Sequence, residues 1–234
     1  QDSIYFKSVD NTTLYVNLYI PSVLEWREKG ISVEQTTRYP LEGASTLTVR
    51  GSGRLALSLR VPAWVRRGYA VSINGVAQTL AVTPGRYVTL DRQWKSGDRI
   101  DVSMPMSFRA EAAIDDATVQ SIYYGPTLLT VQAPPVVSSA GQGAPGQSAA
   151  AALPTQTGAA SAQAAVASLD TGLLKLSLFK HYTLSGDFGA LMSPVAGKPL
   201  HFTANGLMFA PLFVADPQSG PTQPYHMYVR RHEP

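Results

Sequence analysis

The sequence predicts an all-β fold: two antiparallel β-sandwich domains of jelly-roll type, the second interrupted by a disordered insertion rich in Ala, Gly, Ser and Pro. Three observations lead there. Apolar and polar residues alternate with period two through the first hundred residues, as strands with one face on a core require. Turn signals recur about every ten residues, the spacing of an antiparallel sandwich and too short for the helical crossovers of a parallel sheet. No segment before residue 130 carries a sustained helical period.

The first domain is assigned to residues 3–112. Residues 3–7 already read as a strand, and Asp10-Asn11 is the first turn signal. In residues 14–20, Leu14, Val16, Leu18 and Ile20 take one face, and Tyr15, Asn17 and Tyr19 the other. Leu55, Leu57, Leu59 and Val61 alternate with Ala56, Ser58 and Arg60 in the same way. Asn74-Gly75 stands between two apolar runs, where both residues accept the positive φ of a type I′ hairpin. Ser96-Gly97-Asp98 turns the chain into a last strand, in which Ile100, Val102 and Met104 alternate with Asp101 and Ser103.

The second domain is assigned to residues 113–234. Residues 117–169 hold no charged side chain, and 133–168 are largely Ala, Gly, Ser, Pro and Gln. So little large apolar surface cannot offset ordering entropy, and 133–170 reads as a low-complexity surface-loop insertion, the alternative being an interdomain linker. Pattern returns at 173–179. Residues 200–213 read as two strands around Asn205-Gly206, and 225–230 as a terminal strand. These strands are expected to pair with 119–124 and 128–131 across the insertion.

Composition narrows the function classes. Nineteen basic and sixteen acidic side chains leave a net charge of only +3, and Arg66-Arg67 and Arg230-Arg231 are isolated pairs without the dense stripe that phosphate neutralisation needs, so nucleic acid is not an expected partner. No run approaches the about 18 apolar residues of a membrane helix, so no bilayer span is expected. Zero cysteines remove disulfides, thiolate zinc sites and a cysteine nucleophile together. The start at Gln1, directly before a strand, reads as a processed or excised N-terminus. The Ala- and Arg-rich composition suggests a bacterial protein, periplasmic or secreted.

Four phrases occur in a telling order: Leu14-Tyr-Val-Asn-Leu-Tyr-Ile-Pro-Ser22, Leu57-Ser-Leu-Arg-Val-Pro-Ala-Trp64, Gly85-Arg-Tyr-Val-Thr-Leu-Asp-Arg-Gln-Trp-Lys-Ser-Gly-Asp98 and Tyr123-Tyr-Gly-Pro126. In these the chain resembles the region that follows the catalytic barrel in the β-L-arabinofuranosidase-like glycoside hydrolases of family 127. The match is dense from Tyr5 to about Glu111 and thinner beyond, where it rests on Tyr123 to Pro126, Pro194 to Pro199 and Pro224 to Tyr228. The resemblance implies an (α/α)6 barrel elsewhere that carries a cysteine thiolate nucleophile, a zinc ion held by cysteines and a glutamate, and an acid/base glutamate. None of those roles maps onto a residue here, and any zinc would belong to the missing catalytic domain. The partners it implies are that barrel, a second copy in a homodimer, and a plant-type glycan as substrate of the parent enzyme.

No catalytic, cofactor or metal residue is assigned. Glycoside hydrolysis by the common route needs two facing carboxylates, and the nearest candidates are Asp98 with Asp101, Asp115 with Asp116, and Glu25 with Glu28. Asp98 sits in a turn, Asp101 alternates with core residues and so points to solvent, and Asp115-Asp116 lies in an expected interdomain connection. His181, His201, His226 and His232 are too scattered for a zinc spacing. Asn11-Thr12-Thr13 is a sequon that matters only in a glycosylating host. Trp26, Trp64 and Trp94 are the candidates for stacking on sugar, although packing is the commoner role of a large ring on a sandwich. Tyr15, Asn17 and Tyr19 form the candidate docking surface, because a strand with apolar or aromatic residues on both faces is normally covered on both. Two functions follow as expectations: a non-catalytic accessory region that braces a glycosidase barrel, or an independent carbohydrate-binding module.

Overall fold

A computed structural model describes residues 4–132, 182–184, 187–214 and 225–231. The insertion assigned to 133–170 and the strand expected at 173–179 lie outside the described residues. What is described is nearly all β. Its longest helical element is the single turn Phe188–Leu191.

The first ten strands are β1 (Tyr5–Lys7), β2 (Thr13–Val16), β3 (Ser22–Trp26), β4 (Ile31–Thr37), β5 (Ala44–Arg50), β6 (Gly53–Arg60), β7 (Ala70–Ile73), β8 (Val76–Ala77), β9 (Tyr87–Trp94) and β10 (Arg99–Ser103). They build two sheets, ordered β1-β2-β6-β9 and β3-β4-β5-β10-β7-β8. Leu14, Val16, Leu55, Leu57, Leu59, Val88, Leu90 and Trp94 from the first sheet share one core with Ile31, Val33, Leu47, Val49, Val71, Ile73, Ile100 and Val102 from the second. Two sheets closing on a common core make a sandwich. Each aliphatic side chain fully buried there contributes about 1.5 to 3 kcal/mol.

The turns form where the sequence places them. Asn74 and Gly75 take φ of 50° and 80° between β7 and β8, and Asn11 takes 56° between β1 and β2. Within these two sheets one pairing departs from the antiparallel expectation: β2 runs parallel to β6, with Tyr15 opposite Ser58 and Val16 opposite Leu59. Between these two strands the chain crosses to the other sheet to form β3, β4 and β5 and then returns. So long a connection permits a parallel return, which a two-residue hairpin cannot make.

A third sheet holds β11 (Phe108–Ala112), β12 (Val119–Tyr124), β13 (Thr127–Gln132), β14 (Tyr182–Leu184), β15 (Ser193–Pro194), β16 (Phe202–Ala204), β17 (Leu207–Pro211), β18 (Tyr225–His226) and β19 (Val229–Arg231). As the sequence anticipates, β13 pairs with β17 and β18, and β12 pairs with β19. β11 lies against β12, so this sheet already begins at Phe108. Ile122, Leu129, Val131, Phe202, Phe209 and Val229 form its own core, joined by Phe188 and Met192 from the helical turn and its end. Asn205 and Gly206 take φ of 51° and 77° in the turn from β16 to β17.

Candidate functional site

The expected docking strand holds its alternation only as far as Asn17. β2 ends at Val16, and the next four residues belong to no strand. Without a ladder to fix the register, the pattern slips by one residue. Tyr19 turns into the core at 4% exposure, while Leu18 and Ile20 face out at 37% and 42%. This corrects the facing read from the sequence: Tyr15 and Asn17 stay half-exposed on the outer side, Tyr19 does not, and the two aliphatics expected in the core lie at the surface.

The inversion has a hydrogen-bonding cause. Tyr19 Oη donates to the Arg60 carbonyl at 2.6 Å and lies 3.1 Å from Tyr69 Oη, so its ring must enter the core to reach them. Gln35, itself buried, donates through Nε2 to the carbonyls of Leu18 and Ile20 at 3.1 and 2.7 Å. Those bonds satisfy the backbone that the missing ladder leaves open. Burial raises the Tyr19 phenol well above its usual value and pushes Tyr69 up to about 12.

On the outer face, Asn17 gathers two further residues that the sequence reading did not single out. Arg60 Nη1 donates to Asn17 Oδ1 at 2.7 Å, and Tyr87 Oη donates to the same oxygen at 2.8 Å. Arg60 and Tyr87 are opposite each other in the β6–β9 ladder. The Tyr15 ring meets the Tyr87 ring edge to face, with centroids 5.3 Å apart and planes at 84°. A signal for Arg60 was present in the sequence: residues 43–90 contain six arginines and not one Asp or Glu.

The three tryptophans are placed by packing. Trp94 is fully buried and donates its indole N–H to the Leu55 carbonyl at 2.8 Å, with the Arg92 guanidinium 5.2 Å from its ring. Trp26 is 6% exposed, donates to Glu28 at 3.0 Å and has the Lys29 ammonium 5.9 Å from its ring. Neither ring offers a sugar an open face. Trp64 is partly buried against the core and stacks on Tyr39 at 6.3 Å.

Five of the six candidate carboxylates are occupied by structural partners, and the sixth, Asp115, is exposed. Asp98 accepts from Asn74 Nδ2 at 2.8 Å and from the Lys95 backbone N–H at 2.9 Å, which together hold its carboxyl below the usual value. Asp101 accepts from Arg99 and from Thr46, and its carboxyl is lowered chiefly by the Arg99 bond. Glu28 binds Trp26 and Lys7, Glu25 binds Arg27, and Asp116 binds Thr118 and Arg230. His201 Nδ1 lies 2.8 Å from the Pro199 carbonyl. Among the described residues no three His, Asp or Glu side chains converge in a group that could hold a metal ion. No helix among them is long and apolar enough to cross a membrane.

Comparison with known proteins agrees with this architecture. Residues 13–106 match the family profile of the β-L-arabinofuranosidase GH127 middle domain. Among solved structures, the chain is similar to a GH127 β-L-arabinofuranosidase from Geobacillus stearothermophilus T6, at 29% identity over 55% of this chain and 21% of that one, with a TM-score of 0.49. It is similar to a second GH127 β-arabinofuranosidase at 30% identity, over 55% of this chain and 24% of that one, again with a TM-score of 0.49. A third structure, titled a glycoside hydrolase, shares the fold over 98% of this chain and 37% of its own, at 16% identity and a TM-score of 0.65. No curated protein matches the chain. The chain thus spans well under half the length of the solved proteins it resembles. Over residues 13–106 the chain thus resembles a middle domain of the GH127 β-L-arabinofuranosidase type.

Proposed function

We propose that this chain is the accessory β region of a larger glycoside hydrolase and braces a catalytic domain that lies outside it. The observation that carries this reading is the match of residues 13–106 to a middle domain, a unit that by its name has neighbours, in a chain covering at most 37% of the solved proteins it resembles. In this reading the sequence divides into two sandwich domains, and the chemistry, with any zinc it uses, sits on the absent partner. The parent acts on an arabinofuranoside-containing glycan, and the setting is bacterial and exported.

The contact falls on the segment after β2, displaced from the two tyrosines to the aliphatics beside them. Leu18, Ile20 and Val23 are 37%, 42% and 64% exposed, although each is a residue type that prefers an interior. Covering such side chains contributes roughly 25 cal/mol per Å² of apolar surface before the costs of association. The occupant is the catalytic domain, and a second copy of the chain is the alternative.

The test joins this chain to the remainder of its gene product. The chain alone should not turn over a nitrophenyl β-L-arabinofuranoside, and adding it in trans to the remainder should raise the remainder's melting temperature. Leu18→Ser with Ile20→Ser should abolish that rise. A remainder equally stable and active with and without the chain would refute the bracing role, and sedimentation of the chain as a dimer sensitive to the same substitutions would assign the patch to self-association.

A further inference from the structure

The outer face of the first sheet carries a cation that meets no counter-ion among the described residues. Of the six arginines in the acid-free run 43–90, Arg50 pairs with Glu34 at 2.6 Å and Arg54 with Asp91 at 3.0 Å. Arg60, Arg66, Arg67 and Arg86 take part in no ion pair among the described residues. Arg66, Arg67 and Arg86 are exposed, and water solvates them. Arg60 is half-buried, and the one hydrogen bond its guanidinium makes among the described residues goes to a neutral amide oxygen.

That arrangement fixes the cation without neutralising it. Asn17 Oδ1 receives Arg60 Nη1 and Tyr87 Oη together, so the amide positions the guanidinium and the phenol at once. Taking a positive charge partly out of water is unfavourable unless an anion or a full set of acceptors meets it, and a guanidinium fork matches a carboxylate in two-point geometry. Beside it stand two rings at right angles, Tyr87 at 37% exposure and Tyr15 half-exposed. Aromatic faces take the apolar C–H side of a ring, and their phenol oxygens take its hydroxyls.

A cation for a carboxylate, next to aromatic surface for a saturated ring, describes one class of ligand. We propose that Tyr15, Asn17, Arg60 and Tyr87 form a binding site for a uronate sugar, with the sugar carboxylate on Arg60 and its ring against Tyr87. Three of the four residues sit on strands joined by continuous ladders, Tyr15 on β2, Arg60 on β6 and Tyr87 on β9, so their backbones are positioned before the ligand arrives. It requires no catalytic partner, and it stands whether or not the chain braces one.

The test is calorimetric titration of the purified chain with trigalacturonate, a neutral arabino-oligosaccharide and hexaglutamate, with thermal melts of every variant. Trigalacturonate should bind at a single site, and Arg60→Gln and Tyr87→Leu should each weaken it by about tenfold, the size of one charge-assisted contact. The Arg66→Gln, Arg67→Gln double variant, which alters only screened surface charge, should stay within about twofold of the parent. If Arg60→Gln fails to fold, the exposed Tyr87→Leu change decides. Absence of trigalacturonate binding by the folded chain overturns the proposal, as does binding unchanged in both variants. Hexaglutamate binding as tightly as trigalacturonate, or an equal loss in the Arg66, Arg67 variant, would overturn it in favour of a diffuse basic surface. An equally tight neutral oligosaccharide would remove the role of the carboxylate.

Discussion

Tyr19 Oη donates a 2.6 Å hydrogen bond to the backbone carbonyl of Arg60, closing a loop of forty-one residues on the last position of β6. Two residues earlier, Asn17 holds the side chain of the same arginine. One short segment without a ladder of its own thus fixes both the backbone and the guanidinium of Arg60, from inside the sandwich and from outside.

Tyr19→Phe keeps the ring in the core and removes the hydroxyl that bonds the Arg60 carbonyl and meets the Tyr69 hydroxyl. It leaves a carbonyl and the Tyr69 hydroxyl without that partner. Chemical denaturation should show a loss of about 1 to 3 kcal/mol, the cost of stranding buried polar groups. Tyr87→Phe, which breaks an exposed bond to Asn17, should cost less than about 1 kcal/mol.

The buried phenols predict alkaline sensitivity. Tyr69 is pushed up to about 12 and Tyr19 is raised well above its ordinary value, both chiefly by burial. A folded value above the unfolded one stabilises the fold fully below the ordinary tyrosine value near 10, and that stability is lost as pH rises through the folded value. Melting temperature should therefore fall between about pH 10 and pH 12, and the fall should be shallower in the Tyr69→Phe variant.

Asp98 predicts the opposite slope in acid. The bonds from Asn74 and from the Lys95 N–H lower its carboxyl, so its contribution is present above the ordinary carboxylate value and is lost as pH falls through the folded one. Asp98→Asn should lower stability at neutral pH and flatten its decline below about pH 4. An unchanged acid profile would show that these bonds contribute nothing net.

Trp94 and Trp64 should separate in a truncation series. Trp94→Ala opens a cavity at a fully buried position and strands the Leu55 carbonyl, for a loss of about 3 to 5 kcal/mol. Trp64→Ala, at a partly buried ring, should cost less. Equal losses would mean that Trp64 is as much a part of the core as Trp94.

Gly43→Ala should destabilise more than a surface glycine change, because an added Cβ would lie 2.1 Å from the Met104 carbonyl oxygen. The Gly43 carbonyl itself accepts from the Met104 N–H at 2.7 Å, so the two backbones cannot easily separate. A melting temperature unchanged from the parent would show that they can.

Much of this molecule was legible in the one-dimensional pattern. Alternation at Leu55, Leu57 and Leu59 and at Ile100 and Val102 fixed which faces are buried, because a ladder enforces period two once a strand exists. Asn74-Gly75 and Asn205-Gly206 fixed two hairpins, since few residues accept positive φ. The quoted phrases pointed to the GH127 resemblance that the match of residues 13–106 bears out. The sequence could not reveal that the alternation lapses after Asn17, where a hydrogen bond to a carbonyl forty-one residues away outweighs local periodicity and draws Tyr19 inward. Nor could it bring Asn17, Arg60 and Tyr87 together, because that depends on β2 lying parallel to β6 and β9 antiparallel beside it. Local chemistry sets which residues turn and which alternate, while the long-range pairings decide which side chains meet.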